Sequence, residues 1–524
     1  MLMEEKDLAA FAMVFAVAGS LWAFWFGVVY GQQNALWTDE GDYVLIARNI
    51  MSAGKFRTAD DPLGILGASA RSPAIPYATA SVAYVLGDDI LSGHAAVALF
   101  MALGVLATFI LSRKLFGDIA AIVAVMLLVT SQMFWFYGAR ILTDGPQMFF
   151  AAMGALSFFE FVRGGKWKWL ALGAFFVAFG GLARYTFLAL GVGLLGGAAV
   201  YRREMAERLQ RIDLGGVGVA ALAVAAMAVP FAAYQIENTG SPIGFASEYF
   251  SGTNAWADVG RWFYFENSQH IFNNSFTVLF IASGILVSFF KRNREGMALS
   301  LALLLPLLFM TLIMNWKEDR YAIYLLPMAF ALAGYAASKL ARPVIAALDG
   351  KGAMGVSTAF CALMLVFLAA SAYANVGTGT ERYETAWGLY LLKRDSYSQA
   401  REAGLFVRNI TAEGERVLAQ GYTQIGAYSG RVTTPLPHGY DEFERVSGAY
   451  GAKVFVVSAL EFPAEFEKAV RAVQNGTRLD GSTLYRLFVD AAHYKLENAF
   501  TLEVPTEDGK TAKQPVVFVI RKVS

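Results

Sequence analysis

The sequence predicts a polytopic α-helical membrane protein with about eleven transmembrane helices and a C-terminal extracytoplasmic α/β domain. Three observations carry this. Hydrophobic residues make up 56% of the 524 residues and mean hydropathy is +0.45. The apolar residues come in runs of about twenty, the length that crosses roughly 30 Å of hydrocarbon. The composition turns soluble beyond about residue 380. The expected division is therefore a membrane domain over 1–380, with interfacial helices in a first external loop at 31–90, and a second domain over 381–524.

The spans are expected at 8–30, 91–111, 119–137, 145–162, 168–183, 186–201, 214–235, 275–290, 297–315, 321–338 and 354–374. The first run is long for a signal segment and has no convincing small-residue cleavage site, so it reads as a retained span. The apolar stretch Ser72 to Leu86 is short and holds Pro73 and Pro76, so it belongs to the first loop. Orientation follows from the basic residues. One set of loops carries Arg113 and Lys114, Arg163 to Lys168, Arg202 to Arg211, Lys291 to Arg294 and Lys339 to Lys351. The short loops of the other set carry only Arg140, Arg184, Lys317 and Arg320. The first set is expected to be cytoplasmic, with the N-terminus inside and the C-terminal domain outside, in a cytoplasmic (plasma) membrane. The sequons at Asn273, Asn409 and Asn475 then fall outside.

The tail shows a helix-like stretch at 397–411, strands at Arg416 to Gln420 and Lys453 to Ala459, a helix-like stretch from Phe462 to Val473, and further strands up to Val523. Alternating strands and helices predict a small α/β domain, read as an acceptor-binding or stabilising module. It contains no glycine-rich phosphate loop and no nucleophile elbow. A net charge of +1 implies no general attraction to nucleic acid. The single Cys361 excludes an intrachain disulfide.

The chemistry is expected at the few charged residues of the external loops, since a charge at membrane depth usually has a functional or pairing reason. Just after the first span stand Asp39, Glu40, Asp42 and Tyr43. They open a segment whose apolar positions (Tyr43, Ile46, Ala47, Ile50, Met51) suit a helix lying in the membrane interface, with Arg48 on its polar side and Gly54 at its end. Asp39 is equally a candidate helix cap, and because adjacent residues do not share a helix face, at most one of Asp39 and Glu40 is expected to do chemistry directly. Before the fourth span comes Arg140-Ile-Leu-Thr-Asp144-Gly-Pro146. There Asp144 is expected to cap the helix that Pro146 starts, with Arg140 reaching an anion or pairing with Asp144. Arg71 precedes the short apolar segment, Arg184-Tyr185 ends the fifth span, and Lys317-Glu-Asp-Arg320-Tyr321 precedes the tenth. Phosphate recognition needs cations, arginine being the best geometric match, and a hydroxyl acceptor needs a carboxylate to take its proton. A membrane-embedded donor with a phosphate head explains both needs. The pair Asp60-Asp61 before Pro62 reads as a solvated turn rather than a metal site, and His270 as surface.

These motifs resemble the GT-C glycosyltransferases, in particular the protein O-mannosyltransferase and aminoarabinose transferase superfamily. The Asp39-Glu40 pair with Tyr43 is similar to that superfamily's first-loop hallmark. Arg140 to Phe150 looks like the matching O-mannosyltransferase segment, and Arg71-Ser-Pro73 like the Lys-Pro-Pro segment of the aminoarabinose transferases. Gly240-Ser-Pro242 and Arg320-Tyr321 leading to Pro327 also fit. The resemblance covers about 8–340 and implies transfer of a sugar from a polyprenyl (dolichyl or undecaprenyl) phosphate to a hydroxyl of a protein or glycolipid acceptor. Asp39 would be the general base, Glu40 and Asp144 would position acceptor or sugar, Tyr43 and Tyr321 would position substrate, and Arg71, Arg140, Arg184, Lys317 and Arg320 would bind the donor phosphate. No nucleotide cofactor is needed, since the donor is already activated, and no metal ligand is assigned. An oligosaccharyltransferase-like or glycolipid-modifying activity is the main rival. A lipid-linked sugar flippase, the reading from another class, predicts mid-span charges and inverted repeats, and neither is found. A receptor needing only an anchor does not account for eleven spans.

Overall fold

The structure, a computed structural model, describes residues 5–58, 63, 71–210, 214–242, 244, 260–315, 317–348, 397–461, 463–505 and 511–523. The expected eleventh span at 354–374 and the pair Asp60-Asp61 lie outside the described residues. The chain divides into two compact units, one of Met1–Gly31, Ser72–Ile75 and His94–Leu392, the other of Gln32–Arg71, Pro76–Gly93 and Lys393–Ser524.

In the first unit each described run expected to span is helical. Among the described residues five helices are long and apolar enough to cross a membrane, and seven if each bent pair counts as one. The long ones include Asp89–Phe116 and Arg294–Ile313, while Trp167–Ala183 and Ser275–Phe290 are apolar but shorter, at 17 and 16 residues. Two expected spans depart from a single rod. The run 119–137 is broken into Asp118–Val129 and Gln132–Gly138, bent by 56°. At the break the Thr130 hydroxyl donates back to the Met126 carbonyl, a local bond that competes with the helical ladder. The run 186–201 opens with a 3-10 turn, Tyr185–Leu188, continues as Ala189–Val200, and turns by 97° into the polar helix Arg202–Gln210. Small residues let these helices approach closely. A Cβ on Gly193 would lie 2.7 Å from the Ala302 carbonyl oxygen of the Arg294–Ile313 helix.

The second unit is built on a five-stranded sheet in the order β2-β1-β3-β5-β4. Its strands are β1 (Arg416–Ala419), β2 (Val432–Pro435), β3 (Val454–Ser458), β4 (Tyr494–Pro505) and β5 (Thr511–Lys522). β1 runs parallel to β2 and β3, and β5 is antiparallel to β3 and β4. Successive residues of β3 point to opposite faces, and both faces are buried. Phe455 and Val457 pack with Phe443, Val446 and Leu484 on one side; Val454 and Val456 pack with Ala403, Val407 and Ile425 on the other. Helices Ser398–Ile410 and Pro463–Gln474 stand close to where the sequence pattern puts them. Tyr422–Ser429, Tyr440–Tyr450 and strand β2 are additions to that pattern.

The helix Thr38–Ala53 belongs to this second unit, and the sequence dictates both its ends. Trp37 is extended and donates its N–H to Glu40 Oε2 at 2.7 Å, so a first-turn acid satisfies an otherwise orphan donor. Gly54 closes the helix at φ 65°, a left-handed position that glycine adopts without steric cost. Its buried face, expected against the membrane interface, instead packs on the Tyr422–Ser429 helix. A Cβ on Gly41 would lie 2.7 Å from the Thr423 carbonyl carbon, so only glycine permits this approach. Arg48, on the polar side of the helix as expected, donates to the Gly426 and Ala427 carbonyls at 3.0 Å each and pairs with Asp89 at 2.5 Å. It thereby covers the C-terminal carbonyls of the opposing helix, where a cation is favoured.

Candidate active site

The residues singled out in the sequence fall into two clusters, one in each unit. In the second unit, Arg71 stands between two carboxylates of the Thr38–Ala53 helix. Its terminal nitrogen is 2.7 Å from Asp39 Oδ1 and its Nε is 2.6 Å from Asp42 Oδ2. Asp39 and Asp42 are three residues apart, the spacing that puts side chains on one helix face. Asp39 is therefore not the cap of its helix. Glu40, fully buried, does that through Trp37. Tyr43 is buried and interacts electrostatically with Arg71. The Thr38 hydroxyl donates to Glu461 Oε1 at 3.1 Å, and the Tyr422 hydroxyl is pushed up to about 12 by burial and by the charge of Asp42.

Burial pushes the Asp42 carboxyl up to about 6, with Arg71 opposing and Asp39 and Glu461 reinforcing the shift. A carboxyl that binds its proton more tightly folded than unfolded makes stability fall as pH rises between the two values. From about pH 4 to about pH 6 the loss is on the order of 2–3 kcal/mol. Asp42→Asn is expected to flatten this part of a denaturation profile measured at stepped pH; an unchanged slope would show that another group sets it.

In the first unit, Asp144 is the first residue of the helix Asp144–Gly164. It does not cap that helix as expected: Thr143 occupies the cap position, without a side-chain cap bond. The Asp144 carboxylate instead pairs with Arg184, so Arg184, not Arg140, is its ion partner. Both are buried, with side-chain exposures of 1% and 9%. The Arg184 guanidinium also lies 4.4 Å from the centre of the Tyr321 ring, a cation–π contact. Beyond Tyr321, Arg320 grips Glu318 with two nitrogens, at 2.5 and 3.2 Å, and the Tyr321 hydroxyl donates to the same carboxylate at 2.9 Å. Glu318 is partly buried, which raises its pKa, but Arg320 overrides the burial and holds the carboxyl below its usual range. Tyr137, placed by the broken helix, donates to Asp319 Oδ1 at 3.0 Å. Arg140 is almost fully buried, 5.8 Å from the centre of the Phe136 ring. Lys317 donates to the Arg261 carbonyl at 3.3 Å, and burial holds its ammonium below the usual lysine range. With Phe263, Asn267, His270, Glu318 and Asp319 it lines a cavity of about 350 Å³. His270 is exposed, at the edge of that cavity. Nothing in the spacing of these loop charges indicates that Glu318 fixes the Arg320 guanidinium or that Tyr137 holds Asp319.

Comparison with known proteins bears on the fold. The family model described as dolichyl-phosphate-mannose-protein mannosyltransferase matches residues 70–232, and that of the Alg9-like mannosyltransferase family matches residues 249–385. The structure of ArnT from Cupriavidus metallidurans bound to undecaprenyl phosphate is similar at a TM-score of 0.62 and 15% identity, over 97% of each chain. The apo form of the same protein gives 0.63 and 14%, over 98% of each chain.

The chain has the GT-C fold.

Two further structures agree. The oligosaccharyltransferase of Archaeoglobus fulgidus, in complex with Zn and sulfate, has a TM-score of 0.53 and 13% identity, over 94% of this chain and 72% of that one. The arabinofuranosyltransferase AftD from Mycobacteria has 0.54 and 14%, over all of this chain and 40% of the other. Comparison with curated sequences yields no match. Because the ArnT likeness runs over nearly the whole chain, the GT-C fold here includes the α/β region as well as the apolar helices.

Proposed function

We propose that the chain is a membrane glycosyltransferase that moves a sugar from a polyprenyl-phosphate carrier to a hydroxyl acceptor, a protein or glycolipid, on the outer face of a plasma membrane. The observation that carries this reading is the ion group Asp39–Arg71–Asp42. It sets a candidate base beside a cation suited to phosphate. Asp39 takes the acceptor's hydroxyl proton as that oxygen bonds to the anomeric carbon. The bond from the anomeric carbon to the phosphate oxygen breaks, and polyprenyl phosphate leaves with the electron pair. Arg71 exchanges carboxylate for phosphate and stabilises the charge that grows there, the kind of contribution that usually dominates such catalysis. Glu40 and Tyr43 hold the surrounding groups of this cluster, and the first unit's Arg140, Arg184, Lys317 and Arg320, with Asp144 and Tyr321, form a separate charged cluster suited to an anionic headgroup. Two findings support the lipid donor: the ArnT structure holds undecaprenyl phosphate, and one matching family is described by dolichyl-phosphate-mannose. The distribution of basic residues among the loops supports an N-terminus inside and a domain over 381–524 outside, with the membrane domain over 1–380.

The test is a turnover assay on the purified chain in lipid nanodiscs with a panel of polyprenyl-phosphate sugars, reading released polyprenyl phosphate. Release with at least one lipid-phosphate donor, dependent on a hydroxyl acceptor, is the expected result. Turnover with nucleotide sugars alone would overturn the proposal.

A further inference from the structure

Thr38, the residue before Asp39, is held twice by the C-terminal segment of the second unit. Its hydroxyl donates to Glu461 Oε1 at 3.1 Å, and its carbonyl accepts from the Thr423 hydroxyl at 3.1 Å. Leu36, two residues earlier, is fixed on both sides as well: its N–H donates to the Tyr428 hydroxyl at 2.7 Å and its carbonyl accepts from Gln424 Nε2 at 3.1 Å. The first turn of the helix that carries Asp39 is thus set by residues nearly four hundred positions away. Glu461 follows β3, where the chain leaves the sheet, and it is the charged member of this clamp. Its carboxylate interacts with both Asp39 and Asp42.

Resting on the reading of Asp39 as base, we infer that Glu461 is a positioning residue for the transfer reaction. It fixes the Asp39 end of the helix through Thr38 and places a second negative charge beside Asp39. Among the described residues, the charged and titratable groups of this cluster include Arg71 from the loop, Asp42 and Tyr43 from the helix of Asp39, and Glu461 and Tyr422 from the C-terminal segment. Arg71 weakens Asp39 as a base; Glu461 opposes that effect, because a neighbouring like charge raises a carboxylate's proton affinity. Burial raises the pKa of Glu461, the Thr38 bond opposes that, and the charge of Asp39 adds to it.

Two variants separate the two effects. Glu461→Gln keeps an acceptor for the Thr38 hydroxyl and removes the charge. The acid limb of its kcat/KM profile is expected to move to lower pH, by on the order of half a unit. Thr38→Val breaks the link and leaves both charges. Its kcat is expected to fall roughly tenfold, by the misplacement argument, with KM unchanged, and Thr38→Ser to restore it. Asp39→Asn is run in parallel. If Asp39→Asn is inactive while Glu461→Gln and Thr38→Val both superimpose on the parent, the role of Glu461 is refuted and the base assignment stands. If Asp39→Asn retains full turnover, both fall.

Discussion

Asp39→Asn is expected to lower kcat for sugar transfer by about 10²–10⁴-fold, the usual contribution of a positioned general base. The substitution keeps size and shape and leaves an amide oxygen for Arg71, so the helix is expected to fold as before. Its start depends on Glu40 and Trp37, not on Asp39. Binding of the lipid donor is expected to change little or to tighten, because Arg71 loses one of the two carboxylates that compete with phosphate for it. A loss of kcat with KM for the donor near the parent value is the signature of an interaction made in the transition state. Asp42→Asn, at the other end of the same guanidinium, is expected to keep most of the activity. Equal losses in the two variants would assign the effect to the ion group as a whole.

The second large effect is on stability. Arg184→Ala is expected to destabilise the first unit by roughly 3–5 kcal/mol, because it leaves the Asp144 carboxylate buried without its counter-charge. Asp144 is already half satisfied: among the described residues its Oδ2 has no hydrogen-bond partner, so its side-chain hydrogen bonding comes through Oδ1 and Arg184. The same change removes the cation from the Tyr321 ring. Replacing both partners, as in Asp144→Leu with Arg184→Met, is expected to recover much of the loss, since well-packed apolar groups often match or exceed a buried ion pair. Thermal unfolding of the two single variants and the double variant in nanodiscs measures the coupling directly. Additive losses would show that the pair does not act as a unit.

Much of the fold was legible because its signals are local. A run of twenty apolar residues declares a span by length alone, and each described run is helical. The helix that begins at Thr38 announces itself by acids in its first turn and by Gly54 at its end. The strands Val454–Ser458 and Thr511–Lys522 show as runs of valine, isoleucine and phenylalanine. What was not legible is of two kinds. The Tyr422–Ser429 helix is flanked by Gly421 and Gly430 and contains Gly426, a composition that argues against a helix on propensity. It forms because it is packed between the sheet and the Thr38–Ala53 helix. The second kind is pairing at a distance. Nothing in the sequence links Thr38 to Glu461, 423 residues apart, or chooses Arg184 over Arg140 for Asp144. Adjacent acids were separable only in part: helical geometry says that Asp39 and Glu40 point in different directions, and only the fold says that Glu40 turns inward to Trp37 while Asp39 meets Arg71.

The account stands most directly on donor binding and single-turnover transfer measured on the same samples, with a labelled polyprenyl-phosphate sugar and the parent chain, Asp39→Asn and Arg71→Ala. The predicted pattern is a split: Asp39→Asn binds the donor as the parent does and does not transfer the sugar, whereas Arg71→Ala binds it roughly 10–100-fold more weakly, the loss of one or two charge-assisted hydrogen bonds. Transfer by Asp39→Asn at the parent's rate, or donor binding by Arg71→Ala equal to the parent's, would contradict it.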